Sequence, residues 1–198
     1  MVIGKRCIGV LAAMSLVSVC SGRAMGAEEA FTLDPTHTFP SFEADHMGMS
    51  IWRGKMNKTT GTVVLDRAAQ RGTLRVRIDL DSIDFGLDAL NRWAVGPQFF
   101  DTVQNREATY DGTLTGFKNG APTRVEGELT LHGVKHPLTL TINSFACKTH
   151  PMLHRQWCGA DASAVFSRDD FGLSAGKDYG FKMEVALRIQ VEAIKDAS

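Results

Sequence analysis

Two histidines four residues apart stand out in the segment LTLHGVKHPLTL, residues 129–140. On an α-helix, His132 and His136 would share one face and could bind a metal ion. Gly133 and Pro137 argue against a helix, because glycine weakens it and proline pushes the residue before it into extended backbone. The flanking leucines and threonines alternate with period two, as in half-buried strands. We therefore predict a β-hairpin with both histidines at its solvent-exposed tip.

Other side chains could be combined into an active site. His37 lies near Asp34, His46 follows Asp45, and Ser41 could serve as a nucleophile. The sequence, however, contains no H-E-x-x-H zinc motif and no phosphate-binding glycine loop. We therefore predict structural roles, with His37 hydrogen-bonded to nearby backbone and His46 ordering its turn. The chain is not expected to be an enzyme.

A cluster of methionines raises the question of copper binding. Met47, Met49 and Met56 lie close to His46 in the sequence, and thioether sulfur is a ligand that copper(I) accepts in exported proteins. The six histidines form no recognisable set of metal ligands. We therefore predict that Met47 and Met49 line the mouth of the fold or pack at its base, and that the protein has no metal site.

The first 27 residues have the order of a secretory signal peptide. Lys5 and Arg6 give a positive start, residues 8–20 form an apolar run, and the small-residue segment SGRAMGA follows. The apolar run of 13 residues is shorter than the roughly 20 that a membrane-spanning helix needs. We predict that residues 1–27 are removed and that residues 28–198 form one exported, periplasmic domain.

The cleavage position leaves two alternatives, after Gly26 or after Ala27. A lipoprotein would instead use Cys20, but Val19 before it is larger than such sites usually accept. Removal of the segment takes three of the 22 basic residues and none of the 22 acidic ones, which leaves a net charge of −3. Without a basic patch, nucleic acid is not an expected partner.

The predicted mature chain keeps two cysteines, Cys147 and Cys158. In an oxidising compartment an even pair most simply forms a disulfide. The alternative is a metal site that joins both thiolates to His150 and His154. Pro151 disfavours a regular helix there, and the spacing matches no zinc pattern. We therefore predict the disulfide.

Strand patterns dominate the remaining sequence. Residues 71–82 and 181–193 alternate most clearly between apolar and polar side chains, and KNGAP at 118–122 reads as a turn. Two short stretches, 87–101 and 168–172, have helical character. Weaker strand patterns cover residues 31–34, 41–46, 59–66, 108–117, 123–131, 137–148 and 159–167. Eight or more such strands with few helices indicate an all-β fold, either an antiparallel barrel or a sandwich.

Five segments, in order, are shared with a known family: DPTHTFPSFEADHMGMSIWRGKM (34–56), IDLDSID (78–84), FFD (99–101), GELTLHGVKHPLTL (127–140) and SRDDFGL (167–173). Together they resemble the YceI-like lipid/polyisoprenoid-binding family over nearly all of residues 31–193. The chain departs from the family before FFD. The family usually carries Arg-Asp-x-His-Leu there, whereas this chain has NRWAVGPQFF, with Trp93 and Pro97 added. That departure bears on the identity of the ligand more than on the fold.

The resemblance implies a lipocalin-like antiparallel β-barrel of about eight strands with short helical inserts. It also implies a periplasmic protein that holds a long-chain polyisoprenoid or isoprenoid-quinone-like lipid in its interior and needs no other cofactor. Transient contact with a membrane or with a quinone-related membrane protein is an implied partnership, and a homodimer is left open. The alternative is a protein-interaction or stress-response module whose barrel is filled by its own side chains.

The apolar faces of the strands would line the lipid cavity, and the segment from Trp93 to Phe100 would cover one end. The predicted lipid-binding residues are Phe42, Leu74, Val76, Ile78, Trp93, Phe99, Phe100, Leu129, Leu131, Leu140, Ile142, Met183, Val185 and Leu187.

Overall fold

The computed structural model describes Met1 and residues 28–197. The predicted signal segment therefore lies outside the described residues, apart from Met1. Within the described part of the chain, every helix is too short or too polar to cross a bilayer.

Strands account for most of the described chain. Three short 3₁₀ turns lie at Leu80–Ser82, Arg168–Phe171 and Lys177–Tyr179. The strands and the single α-helix described are β1 (Glu29–Leu33), β2 (Phe39–His46), β3 (Ser50–Met56), β4 (Thr59–Asp66), β5 (Arg71–Asp79), β6 (Ile83–Asp84), α1 (Asp88–Val95), β7 (Glu107–Thr115), β8 (Arg124–Leu131), β9 (Val134–Thr149), β10 (Gln156–Ser167) and β11 (Glu184–Lys195).

The sheet closes on itself to form an antiparallel barrel. Its eight positions are occupied in the order β1, β4, β5, β7, β8, β9, β10 and β11, and β11 returns to pair with β1. β11 also pairs with β2, which carries β3 and the two-residue β6 beside it. Closure gives each of the eight wall strands a paired neighbour on both sides. The predicted all-β barrel is confirmed.

Alternation along the strands separates an apolar interior from a charged exterior, as β5 shows. Leu74, Val76 and Ile78 face the interior. Between them, Arg75 and Arg77 point outward and reach acidic residues on β7, with Arg75 Nε 2.7 Å from a carboxylate oxygen of Asp111. Such exposed ion pairs contribute little stability, so the alternation is set by burial of the apolar face.

The hairpin predicted at residues 129–140 is present. Its turn consists of His132 and Gly133, with φ values of 51° and 74°. Positive φ at both central residues is the geometry of a type I′ turn, whose twist matches that of the flanking strands. The turn predicted at 118–122 has the same form, with positive φ at Asn119 and Gly120.

An irregularity in β9 determines where the cysteines lie. The β9–β10 register changes between Ile142 and Ser144, so that Asn143 is an extra residue without a ladder partner on β10, although its side chain hydrogen-bonds to the Ser163 hydroxyl. Leu140 and Ile142 face inward before this bulge, and Phe145 faces inward after it. The bulge thereby shifts the inward positions from even to odd numbers.

The predicted disulfide between Cys147 and Cys158 is present. The two cysteines are direct partners in the β9–β10 ladder, with Cα atoms 4.0 Å apart. If Asn143 instead paired with Asp161 in an unbroken ladder, Ala146 would stand opposite Cys158 and Cys147 would point outward. The disulfide therefore depends on the bulge.

Two strands were not predicted, and one prediction began too early. β3 and β6 lack clean alternation, and β3 contains Gly54, which sequence patterns treat as a break. The prediction that the last strand begins at Phe181 was wrong, because pairing in β11 starts at Glu184. Phe181 and Met183 thus precede the strand rather than continue its alternation.

Deleting Asn143 should leave the disulfide in place, whereas deleting both Asn143 and Ser144 should prevent it. Removal of Asn143 alone makes Ile142–Ala162 and Ser144–Asp161 successive pairs, so Cys147 still meets Cys158. Removal of Ser144 as well moves Cys147 opposite Gly159 and turns it outward. We expect peptide mapping under non-reducing conditions to find the linked Cys147–Cys158 peptides in the wild type and the single deletion, and not in the double deletion. Loss of the link on deletion of Asn143 alone, or a fully formed link in the double deletion, would contradict this account of the bulge.

Candidate functional site: an apolar cavity

The barrel encloses a cavity of about 730 Å³. This volume lies in the range of about 300–1,000 Å³ that is typical of small-molecule sites. The cavity is lined almost entirely by apolar side chains from all eight barrel strands and from β2. Thirteen of the fourteen predicted lipid-binding residues lie on its wall: Phe42, Leu74, Val76, Ile78, Trp93, Phe99, Phe100, Leu129, Leu131, Leu140, Ile142, Val185 and Leu187.

Met183 is the exception among the predicted residues. It is half-buried but lies outside the cavity wall. Because it precedes β11, its side chain does not follow the alternation that places Val185 and Leu187 inward. Its backbone carbonyl instead accepts a hydrogen bond from the Arg168 amide at 2.8 Å.

Small side chains on one side of the barrel leave the space open. The inward positions of β10 include Cys158, Ala160 and Ala162, whereas facing strands supply leucine, isoleucine and phenylalanine. An eight-strand barrel is just wide enough for large side chains to fill it. Substituting alanine at successive inward positions therefore leaves a void. Sequence reasoning missed this wall, because alanine contributes little to an apolar alternation pattern.

The segment between β6 and β7, residues 85–106, covers one end of the barrel and is called the insert here. Trp93 stacks on Phe99 with ring centroids 5.1 Å apart, and Phe99 contacts Phe100 at 4.7 Å. Ala94 on α1 is fully buried. Trp93 lines the cavity yet is 39% exposed, so the cavity reaches solvent beside the insert.

An aromatic cluster borders the same end and is called the rim cluster. It consists of His46, Trp52, Phe85 and Phe181, with the His46 ring stacked on Trp52 at 4.2 Å and the other two rings edge-on to Trp52. The backbone carbonyl of His46 accepts a hydrogen bond from the Met49 amide, which fits the predicted role of ordering its turn. The His46 ring additionally packs within the rim cluster.

Tyr110 is a large polar side chain within the wall. Its hydroxyl donates to the Leu138 carbonyl at 2.8 Å and lies 3.3 Å from the Val125 carbonyl. Burial raises the pKa of Tyr110, so the hydroxyl stays protonated and remains a donor. A side chain at Gly127 would collide with the Tyr110 ring, so this glycine makes room for the tyrosine to cross beneath β8.

Arg168 is the buried charged residue of the cavity wall. It is 8% exposed and follows directly after β10. Its guanidinium donates to the Leu173 carbonyl and, at 2.7 Å, to the Ala175 carbonyl. It also lies over the Phe99 ring at 5.7 Å. Burial lowers the pKa of Arg168, an effect that the nearby Asp169 only partly opposes.

The predicted exposure of His132 and His136 was wrong. Both are half-buried, because the hairpin tip packs against the 3₁₀ turn Arg168–Phe171. The His132 ring nitrogen Nδ1 lies 3.2 Å from the Phe171 carbonyl oxygen, and the His136 ring meets the Phe171 ring edge-on at 5.1 Å. The two histidines therefore fasten this turn to the hairpin.

His37 belongs to a surface cluster. Its Nδ1 lies 2.8 Å from a carboxylate oxygen of Asp34 and 3.9 Å from one of Glu192. The predicted bond to backbone was therefore wrong, since the partner is a side chain. Asp34, His37 and Glu192 form the one group of three His, Cys, Asp or Glu residues in the described part of the chain whose possible metal-ligand atoms all lie within 4.8 Å of one another. Thr36 and Trp157 donate to the same carboxylates, so the cluster is a hydrogen-bond network.

The remaining candidates for chemistry do not converge. Met56 is buried, whereas Met47 and Met49 are exposed, so the three sulfurs form no joint site. The letters G-x-S-x-G occur at 172–176, but Ser174 is exposed in a loop between two 3₁₀ turns. A nucleophile elbow requires a sharp turn between a strand and a helix. The loop that carries Ser174 connects two 3₁₀ turns instead, so it does not have this geometry.

Comparison with known protein families gives one consistent result. Residues 31–193 match the family described as "YceI-like domain". A UPF0312 protein of Pseudomonas paraeruginosa is 28% identical over 189 residues, which cover 93% of this chain and 97% of the relative. A UPF0312 protein of Serratia proteamaculans is 26% identical over 193 residues, which cover 96% and 97%.

Solved structures share the barrel. Burkholderia cenocepacia BcnA superposes with a TM-score of 0.65 at 20% identity, over 81% of this chain and 98% of that one. A structure described as a polyisoprenoid binding domain from Saccharophagus degradans gives a TM-score of 0.62 at 19% identity, over 85% and 99%. At these identities the likeness establishes the fold.

The His37 cluster should make stability depend on pH. The hydrogen bond that the His37 ring donates to Asp34 raises the pKa of His37. Burial acts to raise the pKa of Asp34, but the bonds that Thr36 and His37 donate to its carboxylate outweigh burial and lower that pKa. The pair therefore stabilises the fold most where His37 is protonated and Asp34 ionised. That contribution is fully present below the ordinary histidine pKa of about 6.5 and is lost as the pH rises through the raised value.

We expect His37→Gln to lower the melting temperature by more at about pH 6 than at about pH 9, where wild-type His37 is also neutral. His154→Gln, an exposed histidine in the loop between β9 and β10, is the control. Equal losses for His37→Gln at both pH values would show that the ion pair contributes nothing.

Proposed function

This chain belongs to the YceI-like domain family, and from that premise we propose that it is a periplasmic, non-enzymatic protein that binds a long-chain isoprenoid lipid inside its barrel. The observation that carries the proposal is the cavity of about 730 Å³ with an almost wholly apolar wall. The Saccharophagus degradans domain with the same fold is described as polyisoprenoid binding, which supports the same class of ligand here.

The energetics favour a ligand made of hydrocarbon. Burial of one CH₂ group contributes about 0.8 kcal/mol, so a five-carbon unit contributes roughly 4 kcal/mol before the costs of binding. Ordering a flexible chain and losing its free motion oppose this gain. A few isoprenoid units in the cavity are therefore enough for useful affinity, without any catalytic group.

The mechanism we propose is passive. The strands hold the lipid chain, and the insert with Trp93 and Phe99 covers the end that reaches solvent. The protein would carry or store a lipid between membranes, or sequester a quinone-like molecule, and would meet a membrane or a quinone-related membrane protein when the lipid is exchanged. A barrel filled by its own side chains, the alternative, is at odds with the observed void.

The direct experiment is mass spectrometry of an organic extract of the protein, purified from its native periplasm without detergent. A stoichiometric isoprenoid would support the proposal and identify the head group. An extract without lipid would favour a protein-interaction module, whose surface would include the exposed Trp93 and Val103 of the insert.

A charge placed in the cavity should abolish lipid retention. Leu140 is 8% exposed and lies on the wall, whereas Thr141 beside it points outward. We expect Leu140→Asp to retain no isoprenoid, because an ionised carboxylate in an apolar cavity either binds water or excludes the chain. Thr141→Asp places the same charge one residue away on the outer face and should retain lipid at the wild-type level.

Both variants would be compared by lipid content per mole of protein and by circular dichroism. If a folded Leu140→Asp retained as much lipid as Thr141→Asp, the lipid would lie elsewhere on the protein.

A further inference from the structure

Arg168 is a buried positive charge on the wall of a mostly apolar cavity. Charged side chains are rarely buried unless they are paired, because removing a charge from water costs several kcal/mol. Arg168 is 8% exposed, and in the part of the chain that the structure describes no carboxylate forms an ion pair with it. Its burial therefore requires an explanation that the barrel fold alone does not supply.

The neighbouring charges are committed to other partners. Asp169, the carboxylate next in sequence, pairs with Lys177. Lys182 and Asp45, which also line the cavity, lie 3.7 Å from each other. Arg168 is thus the cavity charge whose compensation is incomplete.

The guanidinium also has donors to spare. It carries five N–H donors, and its hydrogen bonds to the Leu173 and Ala175 carbonyls use two of them. Phe99 covers one face of the group and accepts no conventional hydrogen bond. A ligand group that reaches Arg168 would therefore find both positive charge and free N–H donors.

The position of Arg168 fits one end of an elongated ligand. It follows the last residue of β10 and lies beneath Phe99 of the insert, at the end where the cavity reaches solvent. Away from this end the wall consists mainly of apolar side chains such as Leu140 and Val125. A lipid bound with its chain among these residues would place its head group beside Arg168.

We propose that Arg168 binds the head group of the lipid, that this head group carries oxygen acceptors, and that an anionic head group such as a phosphate is bound most tightly. The inference rests on the proposed function and adds the chemistry of the head group to it. Hydrogen bonds between arginine and an anionic oxygen are stronger than those to a neutral carbonyl. The affinity should therefore decrease from a phosphate to a quinone to a plain hydrocarbon.

A purely structural role for Arg168 predicts a different result. Its two bonds to backbone carbonyls hold the loop at residues 173–175, and their loss would reduce stability whatever the ligand. Loss of a head-group contact would instead change the ratio of affinities between ligands that share one chain. The ratio is therefore the quantity to measure.

The test uses three ligands with the same isoprenoid chain: a phosphate monoester, a benzoquinone and the plain hydrocarbon. Dissociation constants are obtained by displacement of one fluorescent prenyl probe from the protein stripped of its lipid. We expect the wild type to bind the phosphate about tenfold or more tightly than the hydrocarbon, with the quinone between them. Arg168→Gln should reduce this ratio to near one, and Arg168→Lys should keep part of it.

Arg75→Gln is the matched control, because Arg75 is exposed on the outer face and paired with Asp111. It should keep the wild-type ratio. Equal affinity of the wild type for all three ligands would overturn the inference and leave the proposed function standing. A quinone bound as tightly as the phosphate would overturn the anionic preference, and failure to bind any of the three would overturn the proposed function with it. Should Arg168→Gln not fold, the wild-type ratio and the Arg168→Lys variant decide the question.

Discussion

The structure depends on the pairing of one strand on both of its sides. β11 pairs with β10 along its length, and its other side pairs first with β2 and then with β1. These hydrogen bonds turn an open sheet into a closed wall, and the wall fixes which side of each strand faces inward. Its stability comes from the backbone ladder and from burial of the inward side chains. The wall can therefore surround a void that a layered core would have to fill.

The same closure makes register decisive. A one-residue change in β9 exchanges its inward and outward side chains, and the bulge at Asn143 uses that change once. Above the bulge the hairpin directs Leu138 and Leu140 inward, and below it Cys147 reaches Cys158. With this sequence, an unbroken strand could not meet both requirements at once. The bulge thus reconciles a lipophilic wall at one end with a covalent link at the other.

The sequence allowed much of this wall to be predicted, because clean alternation in β5 and β11 reports burial directly. It failed where position depends on partners distant in sequence. The bulge cannot be recognised in the segment INSFAC, residues 142–147, because polar residues occupy both sides of a strand near a barrel end. Arg168 lay in a segment recognised by its helical character and by resemblance, neither of which shows which way its side chain points, and its position at the cavity wall results from the end of β10. The hairpin histidines were predicted to be exposed, because packing of the 168–171 turn on the tip is a tertiary contact.

An empty interior would be difficult for this domain to maintain. Cavities in protein cores cost roughly 24 cal/mol per Å³, which for about 730 Å³ is on the order of 17 kcal/mol. That exceeds the whole stability of a typical domain, about 5–15 kcal/mol. The interior must therefore be occupied, by water or by a ligand. Water would find few polar partners on a wall of leucine, phenylalanine and alanine, whereas a lipid chain replaces the missing contacts. The small side chains of β10 and the incompletely compensated charge at Arg168 are then two parts of one arrangement, with space for a hydrocarbon chain and a place for its polar end.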